Sequence, residues 1–446
     1  MRRAVPPLAV ALAVMACAPG PAPRPNFVVI LADDLGYADL AAYGSERNRT
    51  PHLDRMAAEG LRFTDFHSNG PMCTPTRAAL LTGRYQQRFG EQLEGPLSGI
   101  DDYDIGLPLE ALTIAEALAE EGYATGMYGK WHLGYQPPFM PSSQGFGDFR
   151  GLTSGDGDHH SHIDRSGRPD WWHNSELSPE DGYGVELITR HSVDFVKRHR
   201  DGPFFLYVAH LAIHFPWQGP DDRGYRTEGG YYHNLTKLGE LDSFDVSSKV
   251  KRMVEAVDGS AGAILEAVRG SGIGPNTLVF FTSDNGGYRT YQGGYHNISE
   301  NGPLRGQKSQ VYEGGHRVPA IAWWPGRVEP GVTGALAATF DLFPTLWELA
   351  EAGAETPPLD GISLVPLLVN GQDLPDRTLF WRMRDRAAAR RGQWKLVRHG
   401  GRPLELFDLT QDIGETENLA HAHPSLAEEL SGALAAWEAA VDGGPR

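Results

Sequence analysis

The sequence predicts an α/β fold: a large, mainly parallel or mixed sheet sandwiched by helices, followed by a small antiparallel sheet with one helix packed on it. Short apolar runs of strand-favouring residues recur along the chain, and each run after the first follows a segment with helical periodicity. From about Leu379 the pattern changes to strand-like alternation with a glycine turn, and a final helical segment follows. Repeated helix and apolar strand is typical of a parallel sheet covered on both faces.

Four apolar runs define the predicted central strands. The first, "NFVVILADDLG", has no helix before it, and the others are "YATGMYGKWHLG" after "TIAEALAEEG", "PFFLYVAHLAIHFP" after "VELITRHSVDFVKRH", and "TLVFFTSDNGG" after "VKRMVEAVDGSAGAILEAVRGSG". Because the carboxyl ends of parallel strands share one edge of a sheet, we expect polar side chains at these ends to converge on one pocket. The polar residues at or just after these ends are Asp33, Asp34, Lys130, His132, His214, Asp284 and Asn285.

The chain divides into four predicted parts. Residues 1–16 have the layout of a signal peptide, and residues 17–25 form a Pro/Ala-rich linker. Residues 26–375 form the large α/β domain, and residues 376–446 form a small C-terminal α+β subdomain. A chain of 446 residues is long enough to bury a large core.

The N-terminal segment predicts export. It begins "MRR", continues with the apolar "AVPPLAVALAVMA", and is too short to span a membrane. The run "VMAC" resembles a bacterial lipobox, in which Cys17 becomes the lipidated first residue of a lipoprotein; the alternative is a simple signal peptide cleaved a few residues later. Both interpretations predict a periplasmic or cell-envelope protein, with a lipid anchor at Cys17 in the first. The mature chain then keeps Cys73 as its one unpaired thiol.

The acidic balance of the chain argues against a nucleic-acid partner. There are 57 acidic and 40 basic residues, a formal net charge of −17, so an anionic substrate would need cations gathered locally. Arg77, Lys130 and Lys308 lie in motif-like surroundings and, together with a metal ion, are suited to hold an anion with several oxygens. His132 and His214 are candidates for proton transfer or for hydrogen bonding to that anion, although an isolated histidine is more often structural.

Oxygen ligands at two strand ends indicate a site for a hard cation. Asp33, Asp34, Asp284 and Asn285 suit Ca²⁺ or Mg²⁺ better than zinc or copper. A single pair of this kind would more often be a turn or capping aspartate. Two pairs at the ends of two predicted parallel strands favour the metal.

Cys73 lies at a predicted helix start. Thr74 is the expected cap and Pro75 lies in the first turn, so the thiol would sit where helix amide groups attract negative charge. A nucleophilic thiolate is one interpretation, because helix N-termini lower thiol pKa values. A soft thiolate beside several carboxylates and a hard cation is a poor match of ligand types, which argues against it.

These motifs resemble those of the type I, formylglycine-dependent sulfatases of the alkaline phosphatase superfamily. "CTPTR", followed by "AALLTGR", is similar to their Cys-x-Pro-x-Arg signature. The resemblance extends over nearly the whole chain after the leader, through "NFVVILADDLGYADL", "MYGKWHLG", "TSDNGG", "LRGQKSQVYEGGHRVPAIAWWPG" and "ELFDLTQDIGETENLA". It implies an alkaline phosphatase-like fold with residues 26–375 as the catalytic domain, and hydrolysis of a sulfated carbohydrate or an aryl sulfate. Arylsulfatases and N-acetylgalactosamine-6-sulfatase-like enzymes are the members to which the chain is similar.

The resemblance also implies a role for each candidate residue. A formylglycine-generating enzyme would oxidise Cys73 to formylglycine (3-oxoalanine), whose hydrated form attacks sulfur, displaces the alcohol and then releases sulfate. Calcium, in preference to magnesium, would be bound by Asp33, Asp34, Asp284, Asn285 and the modified Cys73. The remaining roles are orientation of the hydrated aldehyde by Arg77, binding of sulfate oxygens by Lys130 and Lys308, and proton transfer by His132 and His214.

One motif departs from the family pattern. Relatives commonly have Pro-His-x-Pro where this chain has "HLAIHFP", so Ile213 replaces the first proline. His210 offers a second imidazole in the same stretch, and we assign His214 to the site.

Two segments lie outside the shared motifs. "GDGDHHSHID", residues 155–164, is either a second metal site or, as we favour, a loop on the rim of the pocket. "DWWHN" contains Trp171 and Trp172, which would either stack on sugar rings or pack within a loop.

Two other functions fit the same residues. One is a phosphonate monoester or phosphodiester hydrolase of the same superfamily, which relative rates on sulfate and phosphate esters would distinguish. The other is a non-catalytic module that binds sulfated glycans, which would bind them without releasing inorganic sulfate.

Overall fold

The computed structural model describes residues 23–232, 243–291, 294–353 and 355–443. The predicted signal peptide, Cys17 and most of the linker lie outside these ranges. Within them no helix has the length and apolar character needed to cross a membrane.

The described elements are short strands and helices that alternate along most of the chain. The strands are β1 (Asn26–Ala32), β2 (Leu61–Phe63), β3 (Phe66–His67), β4 (Ala124–Lys130), β5 (Asp148–Leu152), β6 (Trp172–His173), β7 (Glu176–Leu177), β8 (Phe204–Ala209), β9 (Thr277–Ser283), β10 (Thr290–Tyr291), β11 (Tyr295–His296), β12 (Ala320–Trp323), β13 (Gly331–Thr333), β14 (Ala337–Ala338), β15 (Thr378–Met383), β16 (Arg386–Arg391), β17 (Trp394–His399) and β18 (Glu405–Asp408). The α-helices are α1 (Pro51–Glu59), α2 (Cys73–Thr82), α3 (Ile114–Glu120), α4 (Gly184–Arg198), α5 (Ser243–Gly270), α6 (Glu313–His316), α7 (Leu342–Leu349), α8 (Val365–Leu368) and α9 (Pro424–Asp442).

The described residues form one large mixed sheet, whose strand order is β13-β2-β12-β9-β1-β8-β4-β5-β6-β7. Its centre is parallel: β1 pairs with β9 on one side and β8 on the other, and β4 pairs with β8 and β5. Antiparallel strands extend it at both edges, with β12 against β9 and β6 against β5. The four predicted central strands therefore become the neighbours β9, β1, β8 and β4.

Helices cover both faces of this sheet because its central strands are apolar on both sides. In β1, Val28 and Ile30 pack into a core with α4 and α5, while Val29 and Leu31 pack into a second core with α2, α3 and α7. Successive strand residues point to opposite faces, so one continuous apolar run supplies both layers.

The C-terminal part is a four-stranded antiparallel sheet in the order β15-β16-β17-β18. Helix α9 packs on it through a third apolar core that includes Leu396, Leu430 and Leu434. The predicted fold class, a large helix-covered sheet followed by a small antiparallel sheet with a helix, is confirmed.

Candidate active site

The candidate residues meet at the carboxyl edge of the central strands. Asp33 and Asp34 follow β1 directly, Lys130 is the last residue of β4, and Asp284 and Asn285 follow β9. The main-chain N–H of Asp34 donates to Asp284 Oδ1 at 3.2 Å, across 250 residues of sequence. The structure thus joins the two predicted pairs of oxygen ligands, Asp33 with Asp34 and Asp284 with Asn285, into one cluster.

Helix α2 begins at Cys73 itself. The prediction that Thr74 caps this helix is wrong, because Met72 occupies the cap position in an extended conformation. The Thr74 hydroxyl instead donates to the His132 carbonyl at 3.0 Å and accepts from the Leu97 N–H at 3.1 Å. Thr74 therefore ties the start of α2 to the loop after β4, and Pro75 lies in the first turn as predicted.

The Cys73 thiol is buried among charged groups. Its Sγ donates to Asp33 Oδ1 at 3.3 Å, and the Lys308 ammonium donates to Sγ at 3.1 Å. Burial, followed by the carboxylates of Asp284 and Asp33, raises the pKa of this thiol far above its usual value. A neutral thiol in this place argues against the nucleophilic-thiolate interpretation.

Each of the three predicted cations contacts a carboxylate of the cluster. Arg77 Nε and Nη2 donate to Asp284 Oδ2 at 3.1 and 3.0 Å, and Arg77 Nη1 donates to the Lys130 carbonyl at 2.6 Å. The Lys130 ammonium pairs with Asp33 and the Lys308 ammonium pairs with Asp34. Three carboxylates and three cations thus balance in charge, all of them at most 6% exposed.

Each of the two predicted histidines is held by a contact of one ring nitrogen. His214 Nδ1 lies 2.6 Å from the Phe215 carbonyl, and His132 Nε2 lies 2.9 Å from the Leu97 carbonyl. Burial lowers the pKa of both histidines well below the usual range. The next largest causes are the cations Lys308 and Lys130 for His214, and Lys130 for His132. A neutral ring that donates through one nitrogen keeps a lone pair on the other, so His214 Nε2 and His132 Nδ1 are available to accept a proton.

Four residues offer metal-ligand atoms within 4.8 Å of one another: Asp33, Asp34, Cys73 and His214. The first three were predicted as ligands, whereas His214 was assigned to proton transfer. Asn285 donates its amide N–H to Asp34 Oδ1 at 2.8 Å, and its own Oδ1 is buried without a hydrogen-bond partner among the described residues. A buried, unpartnered amide oxygen beside carboxylates fits a hard, oxygen-binding cation.

A cavity of about 250 Å³ opens above this cluster and is lined by Cys73, His132, His214 and Lys308. Sequence reasoning missed several other lining residues, among them Arg165, Tyr288 and Tyr291. A signal existed for two of them, because Arg165 directly follows the predicted rim loop 155–164 and Tyr288 directly follows "TSDNGG".

The stretch 155–164 forms part of the cavity wall. Its histidines belong to neither group of metal-ligand atoms found among the described residues. His159 Nε2 contacts the His214 carbonyl at 3.1 Å, and the His162 ring packs on Trp171 at 4.4 Å between centroids. These contacts support the rim-loop interpretation over the second metal site.

The two tryptophans differ in exposure. Trp171 is 1% exposed and donates to Glu180 at 3.1 Å, so it packs within the loop and is closed to sugar stacking. Trp172 is half-buried and donates to Asp170 at 2.7 Å.

His210 is fully buried and does not line the cavity, whereas His214 does.

Comparison with known proteins identifies the family. A profile of the sulfatase family matches residues 25–352. Arylsulfatase A from Bos taurus is 35% identical over an alignment that covers 98% of this chain and 92% of the relative. N-acetylgalactosamine-6-sulfatase from Homo sapiens is 37% identical and covers 83% of this chain and 71% of the relative.

A solved structure agrees with these matches. Ps i-CgsB in complex with k-i-k-neocarrahexaose is 30% identical, superposes with a TM-score of 0.81, and covers 93% of this chain and 92% of that one. The chain therefore belongs to the sulfatase family and is a hydrolase of sulfate esters.

Proposed function

We propose that this chain removes sulfate from a sulfated saccharide or an aryl alcohol, using a formylglycine made from Cys73 and a bound Ca²⁺. The observation that carries the proposal is the setting of Cys73. Its sulfur lies at the start of α2, between the Asp33 carboxylate and the Lys308 ammonium, at the floor of the cavity. A buried neutral thiol has no catalytic use as it stands, but an aldehyde at this position, once hydrated, supplies an oxygen nucleophile and a route for releasing sulfate.

The donor set fits calcium. Asp33, Asp34, Asp284 and Asn285 would hold the ion with the modified residue 73, and the unpartnered Asn285 Oδ1 supports this. A bound divalent cation supplies Lewis-acid polarisation of a sulfate oxygen. Calcium is favoured over magnesium because it tolerates irregular sets of many oxygen ligands.

The cations of the chain position the sulfate group. Arg77 is fixed by Asp284 and by the Lys130 carbonyl, so its guanidinium can orient the nucleophile without moving. Burial alone would lower the pKa of Lys308, but the nearby carboxylates, Asp34 first and Asp33 after it, hold this pKa above its usual value. Lys308 therefore stays charged, and with Lys130 it can bind sulfate oxygens as negative charge grows on them.

The histidines are suited to moving protons. His214 Nε2 carries a lone pair 3.9 Å from Asp34 Oδ2, and this ring lines the cavity. His132 presents Nδ1, which has no hydrogen-bond partner among the described residues. Each ring can accept one proton through this nitrogen and return it to the leaving alcohol.

Export through the N-terminal signal, with lipidation at Cys17, is proposed on the sequence pattern alone. The substrate class rests on the relatives: two are named arylsulfatase A and N-acetylgalactosamine-6-sulfatase, and one structural neighbour holds k-i-k-neocarrahexaose.

The first test is the mass of the tryptic peptide Phe63 to Arg77, from protein made together with a formylglycine-generating enzyme. A mass that corresponds to aldehyde in place of thiol supports the proposal, and an unmodified thiol contradicts it. Cys73→Ala serves as the matched control: we expect it to fold with the same thermal midpoint and to release no measurable sulfate. Loss of activity of only a few-fold would remove Cys73 from the reaction.

Parallel assays separate the two alternatives. A phosphate or phosphonate ester turned over faster than the matching sulfate ester would favour the phosphonate or phosphodiester hydrolase. Binding of a sulfated glycan without release of inorganic sulfate would favour the non-catalytic module.

A further inference from the structure

The cavity wall contains a second charged unit besides the cluster around Lys308. Asp156 is bracketed by two arginines: Arg226 pairs with Asp156 Oδ1 at 2.5 Å, and Arg165 Nε donates to Asp156 Oδ2 at 3.0 Å. Arg226 Nη1 also donates to the Asp156 carbonyl at 2.9 Å. Asp158 lies on the other side of Arg226, where its Oδ2 accepts from the Arg226 main-chain N–H at 3.1 Å, so Arg226 has a second carboxylate beside it.

Of the two guanidinium groups, that of Arg165 is accessible from the cavity. The Arg226 side chain is 0% exposed, whereas that of Arg165 is 37% exposed and lines the cavity. Arg165 uses Nε and Nη2 on Asp156, and its Nη1 makes no hydrogen bond within the described part of the chain. Its backbone is also held, because the Arg165 carbonyl accepts from the Tyr232 N–H at 2.9 Å. Arg165 is therefore a guanidinium held in place with one edge unused.

Other charged groups in the cavity are already paired. Asp164 accepts from Arg168 Nε at 3.0 Å, and Lys308 pairs with Asp34 beside Cys73. The described residues that line the cavity include one arginine, Arg165, and one lysine, Lys308, and the two belong to different clusters of charged side chains. A ligand whose sulfate ester lies against Lys308 thus meets a separate positive charge at Arg165.

We propose that Arg165 is a specificity-determining residue that binds a second anionic group, a carboxylate or a further sulfate, on the saccharide that carries the scissile sulfate. This rests on the proposed function. A planar guanidinium suits both groups, because each presents two oxygens to a pair of N–H donors. The held position of Arg165 reduces the entropy lost when the substrate binds.

Three probe substrates test this: a monosulfated N-acetylhexosamine, the same sugar with a second sulfate, and the monosulfated sugar linked to a uronic acid. The measurement is the ratio of kcat/KM for each dianionic probe to that for the monosulfated one. We expect the wild-type enzyme to prefer at least one dianionic probe about fivefold, the upper end of the effect of one partly exposed charge pair. Which probe is preferred distinguishes a second sulfate from a carboxylate.

Arg165→Gln should reduce this preference to about twofold or less, and Arg165→Lys should retain part of it because the charge remains. Arg391→Gln is the matched control, since Arg391 is also partly exposed, also paired with a carboxylate and far from the cavity; its ratio should equal the wild-type ratio. Equal kcat/KM on all three probes in the wild-type enzyme, or an unchanged preference in Arg165→Gln, would overturn the proposal. If Arg165→Gln fails to fold, the wild-type ratios and Arg165→Lys decide. Sulfate release from the monosulfated probe reports separately on the proposed function.

Discussion

Replacement of Lys395 by methionine should destabilise the fold strongly. Lys395 belongs to what we term the C-terminal charge cluster, six charged side chains between the main sheet and the small sheet: Asp65, Glu313, Glu415, Arg317, Arg390 and Lys395. The Lys395 ammonium lies 2.9 Å from both Glu313 Oε1 and Glu415 Oε1, and all three side chains are 0% exposed. Three carboxylates and three cations balance, so loss of one cation leaves a buried negative charge unpaired.

The size of the effect follows from that burial. Removing one partner of a buried ion pair costs about 3–5 kcal/mol, because the remaining charge has lost its compensation. Burial already raises the pKa of Glu415 to about 7, against the lowering effect of Lys395. A carboxyl group whose pKa is higher in the folded than in the unfolded protein stabilises the fold at pH values below its unfolded-state pKa. This stabilisation is lost as the pH rises through its folded-state pKa. The deficit of Lys395→Met should therefore be larger at pH 8 than at pH 6.

Urea unfolding at pH 6 and pH 8 measures this. The double variant Lys395→Met with Glu415→Gln restores charge balance and should recover at least half of the lost unfolding free energy at pH 8. Lys251→Met is the control, because Lys251 pairs with Glu255 on the surface at 2.6 Å and should cost less than about 1 kcal/mol. A loss below about 1 kcal/mol in Lys395→Met, or no recovery in the double variant, would refute the reasoning.

Two further predictions concern single buried groups. Burial lowers the pKa of His210 to about 3, and neither ring nitrogen has a hydrogen-bond partner among the described residues. The free energy of unfolding of the wild-type protein should therefore fall by about 1.4 kcal/mol for each pH unit below about 6.5. His210→Leu should remove this part of the pH dependence of stability, measured by urea unfolding at pH 7 and pH 4.5, and should keep the activity of the wild-type enzyme. An unchanged pH dependence would exclude His210 as its source. Asp284→Asn removes the carboxylate that pairs with Arg77, so we expect lost activity and a lower calcium content after dialysis, measured by atomic emission. An unchanged calcium content would remove Asp284 from the ligand set.

The sequence predicted the central architecture because its signal is local. An apolar run such as β1 is buried on both faces, and this needs a sheet covered by helices on both sides. The polar residues at its end, Asp33 and Asp34, were predicted at one sheet edge by the direction of the strands. The neighbour order was not predictable from the runs alone, since β8 lies between β1 and β4 through pairing that spans distant parts of the chain.

The rest of the cavity depends on long-range pairing that leaves no local pattern. Arg226 lies 70 residues from Asp156 in a stretch that reads as an ordinary polar loop, yet its side chain is buried. His159 lies in a histidine-rich stretch that was predicted as a rim loop, but its contact with the His214 carbonyl was not predictable. In both cases the role is set by what the side chain reaches across the fold.

The two buried charge clusters show what separates a reactive site from a structural one. Each balances three carboxylates with three cations, and each lies at a group of side chains with metal-ligand spacing. At the C-terminal charge cluster, Glu313 forms such a group with the neighbouring His67 and His316. There the ligand atoms are already used: Lys395 and Arg390 both bond Glu313, and Lys395 lies 3.1 Å from His316 Nε2. In the other cluster Asn285 Oδ1 remains unpartnered, and Cys73 lines a cavity that no member of the C-terminal charge cluster reaches. Buried charge alone is therefore a poor guide to function, and the combination of an unpartnered ligand atom with access from a cavity is what indicates the chemistry.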